Sequence, residues 1–160
     1  MAAMEKKTLT LQYTSYSSIE ELIPKDRELL ENAIDALKGS YAPYSRFNVG
    51  AAVKMRNGII VKGSNQENAA YPSGLCAERT AMFSAAARYP NESIGAIALI
   101  ASQNGKLQPE PSYPCGACRQ VMAQYQQRYG KPIKIIVGSA GRIEVFDSVE
   151  NLMPFIFDDI

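Results

Sequence analysis

The chain has 160 residues, of which 46% are hydrophobic and 21% charged, and its 17 basic and 16 acidic side chains leave a formal charge of +1. This length predicts one domain with a core of its own, and the small net charge provides no general attraction for nucleic acid or an anionic membrane. The longest apolar run, residues 96–101, is far shorter than the ~20 residues of a membrane span.

The first half of the chain predicts a helix and a hairpin behind an N-terminal extension, residues 1–22. Within the extension, residues 8–13 alternate like an edge strand. Apolar residues at helical spacing then follow Pro24, and Gly39 ends this first helix. Residues 49–55 and 59–63 are two β-rich runs around Asn57 and Gly58, which predicts an antiparallel pair.

The second half alternates helices and strands. A second helix is predicted over residues 76–89, a buried strand over 94–102, and a third helix over 115–129 that opens at Pro114. Residues 103–113 read as a polar surface loop, residues 133–137 and 142–146 as short strands, and residues 149–153 as a last helical turn. This order predicts a single domain over residues 1–160, an α/β fold of three layers (α/β/α) with a mixed central sheet of about five strands.

The sequence contains no histidine, which excludes mechanisms that need an imidazole as base or metal ligand. It contains three cysteines: Cys76, Cys115 and Cys118. An odd number of thiols in a short chain argues against a disulfide framework and for a reducing compartment. Because residues 1–7 do not begin a signal peptide either, we expect a cytoplasmic protein.

The three thiols are expected to meet at one edge of the sheet. Cys76 begins the second helix and Cys115 the third, and the helix and strand between them return the chain to the same edge. Helix N-termini favour the thiolate form of cysteine, and three thiolates leave a fourth tetrahedral position of zinc free for water. The pattern therefore predicts a catalytic zinc site held by Cys76, Cys115 and Cys118.

Glu78 lies two residues after Cys76, in the first turn of the same helix. A carboxylate there can take a proton from a zinc-bound water and deliver it to a substrate, which makes Glu78 the predicted catalytic residue. A lone Cys-x-x-Cys is more often a redox or buried pair, and a lone glutamate in a first helical turn is usually a surface residue. Cys-x-Glu followed by Pro-Cys-x-x-Cys, however, is the zinc deaminase signature with cysteine in place of its histidine.

Two segments resemble the motifs of the small, homotetrameric, three-cysteine class of cytidine deaminases: Cys-Ala-Glu-Arg-Thr-Ala at 76–81 and Pro-Cys-Gly-Ala-Cys-Arg-Gln at 114–120. Residues 43–52 and 65–69 match two further segments, and the likeness runs from about Glu28 to Phe157, with departures in the N-terminal extension and the loop at 103–113. The resemblance implies one Zn²⁺ per subunit, a homotetramer, and hydrolytic deamination of cytidine and deoxycytidine in pyrimidine salvage.

The resemblance also implies a set of substrate contacts. Asn65 and Glu67 would bind the ribose hydroxyls, and Phe47 would pack against the pyrimidine ring. Ala77, between Cys76 and Glu78, belongs to the same set. Phe157 matches the aromatic residue that reaches into a neighbouring subunit's active site.

Three thiolates around one Zn²⁺ carry excess negative charge, which should oppose deprotonation of a bound water. Arg79, in the same first turn as Cys76, can donate hydrogen bonds to a ligand sulfur and offset this charge, as the matching arginine does in the family. Gln120 is a weaker candidate for a similar contact.

Three other functions stay open. A deaminase of a blasticidin-type nucleoside antibiotic shares the cysteine motifs, although Asn65 and Glu67 favour cytidine. A polynucleotide-editing deaminase must hold phosphates, and the chain has no basic run beyond Lys6 and Lys7. A structural zinc site is normally closed by a fourth protein ligand, and the sequence has neither a fourth cysteine nor a histidine.

Overall fold

The computed structural model describes residues 3–158. Seven strands of this part of the chain form one mixed sheet: β1 (Thr14–Tyr16), β2 (Phe47–Met55), β3 (Ile60–Ser64), β4 (Ile94–Gln103), β5 (Lys106–Leu107), β6 (Lys134–Gly138) and β7 (Ile143–Phe146). Their order is β1-β7-β6-β4-β2-β3, and β5 pairs with the end of β4. Strands β4 and β6 are parallel and the other pairs antiparallel, so the sheet is mixed as predicted.

Helices cover both faces of the sheet. Helix α1 (Pro24–Ala36) lies on one face, and helices α2 (Ala77–Arg88) and α3 (Gly116–Tyr129) lie on the other. The central strands are apolar on both sides because alternate residues, such as Ile135 and Ile136 of β6, enter the two different cores. This arrangement confirms the predicted α/β/α sandwich. Within residues 3–158, none of the helices has the length and apolar character needed to cross a membrane.

Close packing of the helices on the sheet depends on two glycines. A Cβ atom on Gly50 of β2 would lie 2.1 Å from the carbonyl oxygen of Ala33 in α1. A Cβ atom on Gly63 of β3 would lie 2.4 Å from the backbone nitrogen of Ala81 in α2. Any side chain at these positions would push the helices away from the sheet, and at Gly63 the displaced helix would be α2, whose first turn carries the candidate site.

The N-terminal edge strand predicted at residues 8–13 is wrong. The strand lies at Thr14–Tyr16, where it pairs with Ile143–Val145 of β7. Because β7 has only four residues, it offers a short edge, and the alternating residues before Thr14 run past its end. There Tyr13 stacks on Phe146, and the Gln12 N–H donates a hydrogen bond to Asn151 Oδ1 at 3.0 Å.

The segment predicted as a loop at residues 103–113 contains the short strand β5. It forms a tight hairpin with β4 through Asn104 and Gly105, which both have positive φ angles, 52° and 77°. Helices α2 and α3 begin one residue later than predicted because Cys76 and Cys115 occupy extended N-cap positions. The last predicted helical turn is a single 3₁₀ turn, Val149–Asn151.

Candidate active site

The three cysteines meet where α2 and α3 begin. Cys76 and Cys115 are the N-cap residues of these helices, and Cys118 lies in the first turn of α3. All three Sγ atoms lie within 4.8 Å of one another, and the Cys76 and Cys115 sulfurs are 3.8 Å apart. The chain thus brings together the three thiols that the sequence predicted to converge.

The geometry of this cluster fits a zinc ion. Zn–S bonds of about 2.3 Å in tetrahedral geometry separate two sulfurs by about 3.8 Å, which matches the distance between the Cys76 and Cys115 sulfurs. All three cysteines are free of disulfides. Soft thiolate donors suit zinc, and the two helix N-termini add positive partial charge beside them. The residues present can therefore hold one Zn²⁺ per chain and leave a fourth position for a small ligand.

Arg79 supplies a positive charge next to the sulfurs. Its Nη2 donates a hydrogen bond to Cys76 Sγ at 3.3 Å, and its Nε is buried with no hydrogen-bond partner among residues 3–158. Hydrogen bonds from the Cys118 thiol and from Arg79 lower the pKa of Cys76. The pKa of Cys118 is raised in turn, because its proton is shared with Cys76 and because the residue is buried. The cluster therefore favours a thiolate at Cys76 even before a metal binds.

Glu78 lies in the first turn of α2, and only 5% of its surface is exposed. Burial raises the pKa of its carboxyl group to about 7, and the nearby Cys76 adds to this effect while Arg79 opposes it. A carboxyl group with such a pKa can accept or donate a proton at neutral pH. Its position beside the thiols is the one that the sequence assigned to the catalytic residue.

A cavity of about 580 Å³ opens beside Cys76 and Arg79. Of the predicted substrate contacts, Asn65 and Glu67 line it. The cavity wall also includes residues for which the sequence predicted no role in ligand binding: Tyr44, Ser45, Gln66, Asn68, Tyr71, Gly74 and Leu75. The aromatic side chains of Tyr44 and Tyr71 are exposed. Tyr44 and Ser45 lie in the segment 43–52, which resembles a family segment, and this resemblance is the signal in the sequence that could have placed them at the site.

Phe47, Ala77 and Phe157 do not contribute to the wall of this cavity. Phe47 is the half-buried first residue of β2, and Ala77 is the fully buried first residue of α2. Phe157 lies exposed in the C-terminal segment. Gln120 donates from Nε2 to the Phe157 carbonyl at 2.8 Å, a contact with the C-terminal segment that the sequence did not predict.

Asn65 and Glu67 hold the cavity wall together. Asn65 Oδ1 accepts hydrogen bonds from the Ser40 hydroxyl at 2.5 Å and from the Val49 N–H at 2.9 Å, and its Nδ2 donates to the Phe47 carbonyl at 2.8 Å. The side chain thus joins the end of β3 to the start of β2.

Glu67 anchors the turn before β2 in the same way. Its Oε2 accepts hydrogen bonds from the N–H groups of Tyr44 and Ser45 at 2.9 and 3.2 Å, and its Oε1 accepts the Ser45 hydroxyl. The hydroxyl of Ser45 and these N–H groups lower the pKa of Glu67, so the carboxylate stays ionised. By count of lone pairs and N–H groups, Asn65 keeps one free donor and Glu67 one free acceptor position.

Comparison with known proteins gives a consistent assignment. The family profile described as "Cytidine and deoxycytidylate deaminase zinc-binding region" matches residues 23–130. A protein of Halalkalibacterium halodurans named cytidine deaminase is 49% identical over 100 residues, which cover 62% of this chain and 71% of that protein. The crystal structure of cytidine deaminase from Burkholderia pseudomallei is 40% identical with a TM-score of 0.68, over 81% of this chain and 97% of that one.

A second solved structure, the cytidine deaminase from Mycobacterium tuberculosis, is 32% identical with a TM-score of 0.63, over 82% of this chain and 96% of that one. Residues 23–130, which the family profile matches, include both helix starts that carry the cysteines. The profile match, these relatives and the convergent thiols lead to one conclusion: the chain belongs to the family of zinc-binding cytidine and deoxycytidylate deaminases.

Proposed function

We propose that this protein catalyses the hydrolytic deamination of cytidine and deoxycytidine to uridine and deoxyuridine, with release of ammonia. The observation that carries the proposal is the cluster of three thiols with a buried carboxylate, Glu78, beside them. The neighbouring cavity of about 580 Å³ has room for a nucleoside. The names of the relatives support the same reaction.

The chemistry divides between the metal site and Glu78. A Zn²⁺ ion held by Cys76, Cys115 and Cys118 supplies the Lewis acidity that makes water nucleophilic near neutral pH. Glu78 takes one proton from the attacking water and passes it to ring N3, and then takes the second proton of that water from the hydroxyl added at C4 and passes it to the departing amine. Arg79 keeps its positive charge beside Cys76 and offsets the charge of the thiolates. Burial of Glu78 limits proton exchange with bulk water during this cycle.

The sugar is recognised by two other residues that line the cavity, Asn65 and Glu67. The free N–H of Asn65 and the free acceptor position of Glu67 offer one donor and one acceptor to the hydroxyls of the sugar. Free cytosine would leave both groups desolvated and unpaired, so it is expected to be a poor substrate.

The working form proposed is a homotetramer in the cytoplasm that serves pyrimidine salvage, with residues 1–160 forming a single domain. Two exposed aromatic side chains near the C-terminus, Phe155 and Phe157, support the assembly, because they are expected to be covered by another surface. In this arrangement Phe157 reaches the active site of a neighbouring subunit, and Phe47 and Ala77 complete the contacts with the pyrimidine ring.

An ultraviolet assay tests the proposed reaction, because the absorbance of the pyrimidine ring changes on deamination. Zinc-loaded protein is incubated separately with cytidine, deoxycytidine, cytosine and a blasticidin-type nucleoside. We expect turnover of the first two and a far lower kcat/KM for cytosine. Turnover of the antibiotic without turnover of cytidine would overturn the proposal, as would an inactive protein with a full complement of zinc.

A further inference from the structure

The loop that departs from the deaminase pattern, residues 103–113, forms backbone hydrogen bonds with the segments on both of its sides. The Gln108 N–H donates to the Ala101 carbonyl at 2.9 Å, which continues the pairing of β5 with β4. On its other side, the Gln108 carbonyl accepts the Ala140 N–H at 2.8 Å, and the Pro109 carbonyl accepts the Gly141 N–H at 3.1 Å. The loop therefore joins β4 to the turn between β6 and β7.

A buried carboxylate holds the end of this loop. Tyr113 donates its hydroxyl hydrogen to Glu144 Oε2 at 2.5 Å, and Arg142 donates from Nε to Glu144 Oε1 at 2.9 Å. Arg142 also pairs with Glu110, inside the loop. Only 3% of Glu144 is exposed, and a carboxylate at such a position is costly unless its oxygens are paired. Loss of the Tyr113 hydroxyl would leave one of these oxygens without its partner.

The same face of β7 receives the N-terminal extension. Phe146, two residues after Glu144, contacts the ring of Tyr113 edge-on, with centroids 6.3 Å apart. The ring of Tyr13 stacks on Phe146 with a centroid distance of 5.3 Å. The N-terminal extension and the loop at 103–113, which both depart from the family pattern, therefore contact the same residue of β7, Phe146. Through Phe146, Tyr13 of the extension supports the ring of Tyr113.

Tyr113 is separated from the zinc-site residue Cys115 only by Pro114, whose ring fixes its φ angle. On the helix side, Arg119 Nε donates to the Pro114 carbonyl at 2.8 Å. Cys115 is the exposed member of the cluster, whereas Cys118 is buried and Cys76 half-buried. Packing alone therefore constrains Cys115 least, and its position depends most on the chain that leads to it.

We propose that Tyr113 and Glu144 are positioning residues for Cys115: the hydrogen bond between the exposed tyrosine and the buried carboxylate fixes the end of the loop and thereby the sulfur that completes the zinc site. This inference rests on the zinc site and does not depend on which base is deaminated. Outer partners of metal ligands typically contribute about 10- to 100-fold in metal affinity, and Tyr113 acts on Cys115 through one intervening residue.

The variant Tyr113→Phe tests the proposal, because it removes the hydroxyl and keeps the ring against Phe146. The matched control is Tyr129→Phe at the C-terminal end of α3, the helix that begins after Cys115. It removes a hydroxyl that donates to the Pro90 carbonyl at 3.0 Å. The measurement is the rate at which zinc-loaded protein transfers its zinc to a chromophoric chelator. We expect transfer roughly 10- to 100-fold faster for Tyr113→Phe and a wild-type rate for Tyr129→Phe.

Cobalt substitution gives a second readout that general loosening of the fold would not produce. The sulfur-to-cobalt charge-transfer absorption grows with the number of bound thiolates, so displacement of Cys115 should lower it in Tyr113→Phe and in Glu144→Gln. If Tyr113→Phe transfers zinc at the wild-type rate and has the wild-type cobalt spectrum, the proposal is overturned. Equal acceleration of zinc transfer in Tyr113→Phe and Tyr129→Phe would overturn it as well, since the effect would then not be specific to Cys115.

Discussion

Replacement of Glu78 by glutamine separates proton transfer from metal binding. The amide has nearly the size of the carboxyl group, so it fits the buried position at the first turn of α2. It cannot take up a proton from water or return one to the substrate. The three thiols of Cys76, Cys115 and Cys118 remain, and we expect Glu78→Gln to bind one zinc per chain.

The size of the effect follows from the two roles of Glu78. A positioned acid or base contributes about 10²- to 10⁴-fold in rate, and in the proposed mechanism Glu78 acts as base and then as acid in one cycle. Because only 5% of the residue is exposed, bulk water has little access to replace it. We therefore expect kcat to fall by about 10⁴-fold, which corresponds to about 5 kcal/mol of barrier height. KM should change little, since Asn65 and Glu67 stay in place.

The assay is the decrease in cytidine absorbance with protein whose zinc content has been measured. Glu31→Gln, on the exposed surface of α1, is the control for the chemical change itself. Near-normal turnover by zinc-replete Glu78→Gln would refute the assignment of Glu78 as the proton carrier. Loss of zinc together with activity would contradict the separation of the two roles.

Three further substitutions examine other parts of the site. Arg79→Ala removes the hydrogen bond to Cys76 Sγ and should lower activity or zinc retention by about 10- to 100-fold; unchanged zinc content and kcat would show that its charge is merely solvated. Ser45→Ala removes the hydroxyl that links Glu67 to the Phe47 N–H. It should raise KM for cytidine by about 2- to 10-fold at constant kcat, and Ser45→Thr should restore KM. A change in kcat alone would contradict this. Truncation after Pro154 removes the carbonyl of Phe157 that Gln120 binds, and it should weaken the tetramer and raise KM while zinc stays bound; light scattering that finds a fully active monomer would contradict the assembly.

The convergence of the three thiols could be predicted from the sequence because local signals set the helix starts that carry them. Pro114 marks the start of α3, and Gly39 the end of the first helical segment, through conformational preferences that act within a few residues. The convergence of Cys76 with Cys115 then follows from two helix starts on one sheet edge, a property of topology. These steps needed no knowledge of side-chain packing.

Contacts between distant segments could not be predicted in this way. Residues 8–13 alternate as a strand would, yet the edge of β7 pairs with Thr14–Tyr16, because the partner strand and not the local pattern decides the register. Glu144 also alternates with apolar residues as an ordinary outward-facing residue would, and only the structure shows that it is buried and paired with Tyr113 and Arg142. The same holds for Gln120, whose partner is the backbone of the C-terminal segment 37 residues away.

In the proposed reaction, water replaces the amino group of cytidine at a zinc site built from Cys76, Cys115 and Cys118. Incubation of the zinc-loaded protein with cytidine in ¹⁸O-enriched water, followed by mass spectrometry of the nucleoside and measurement of ammonia, follows this replacement atom by atom. We expect uridine that carries one solvent oxygen on its base and one ammonia for each uridine formed. Full recovery of unchanged cytidine from zinc-replete protein would refute the proposed reaction.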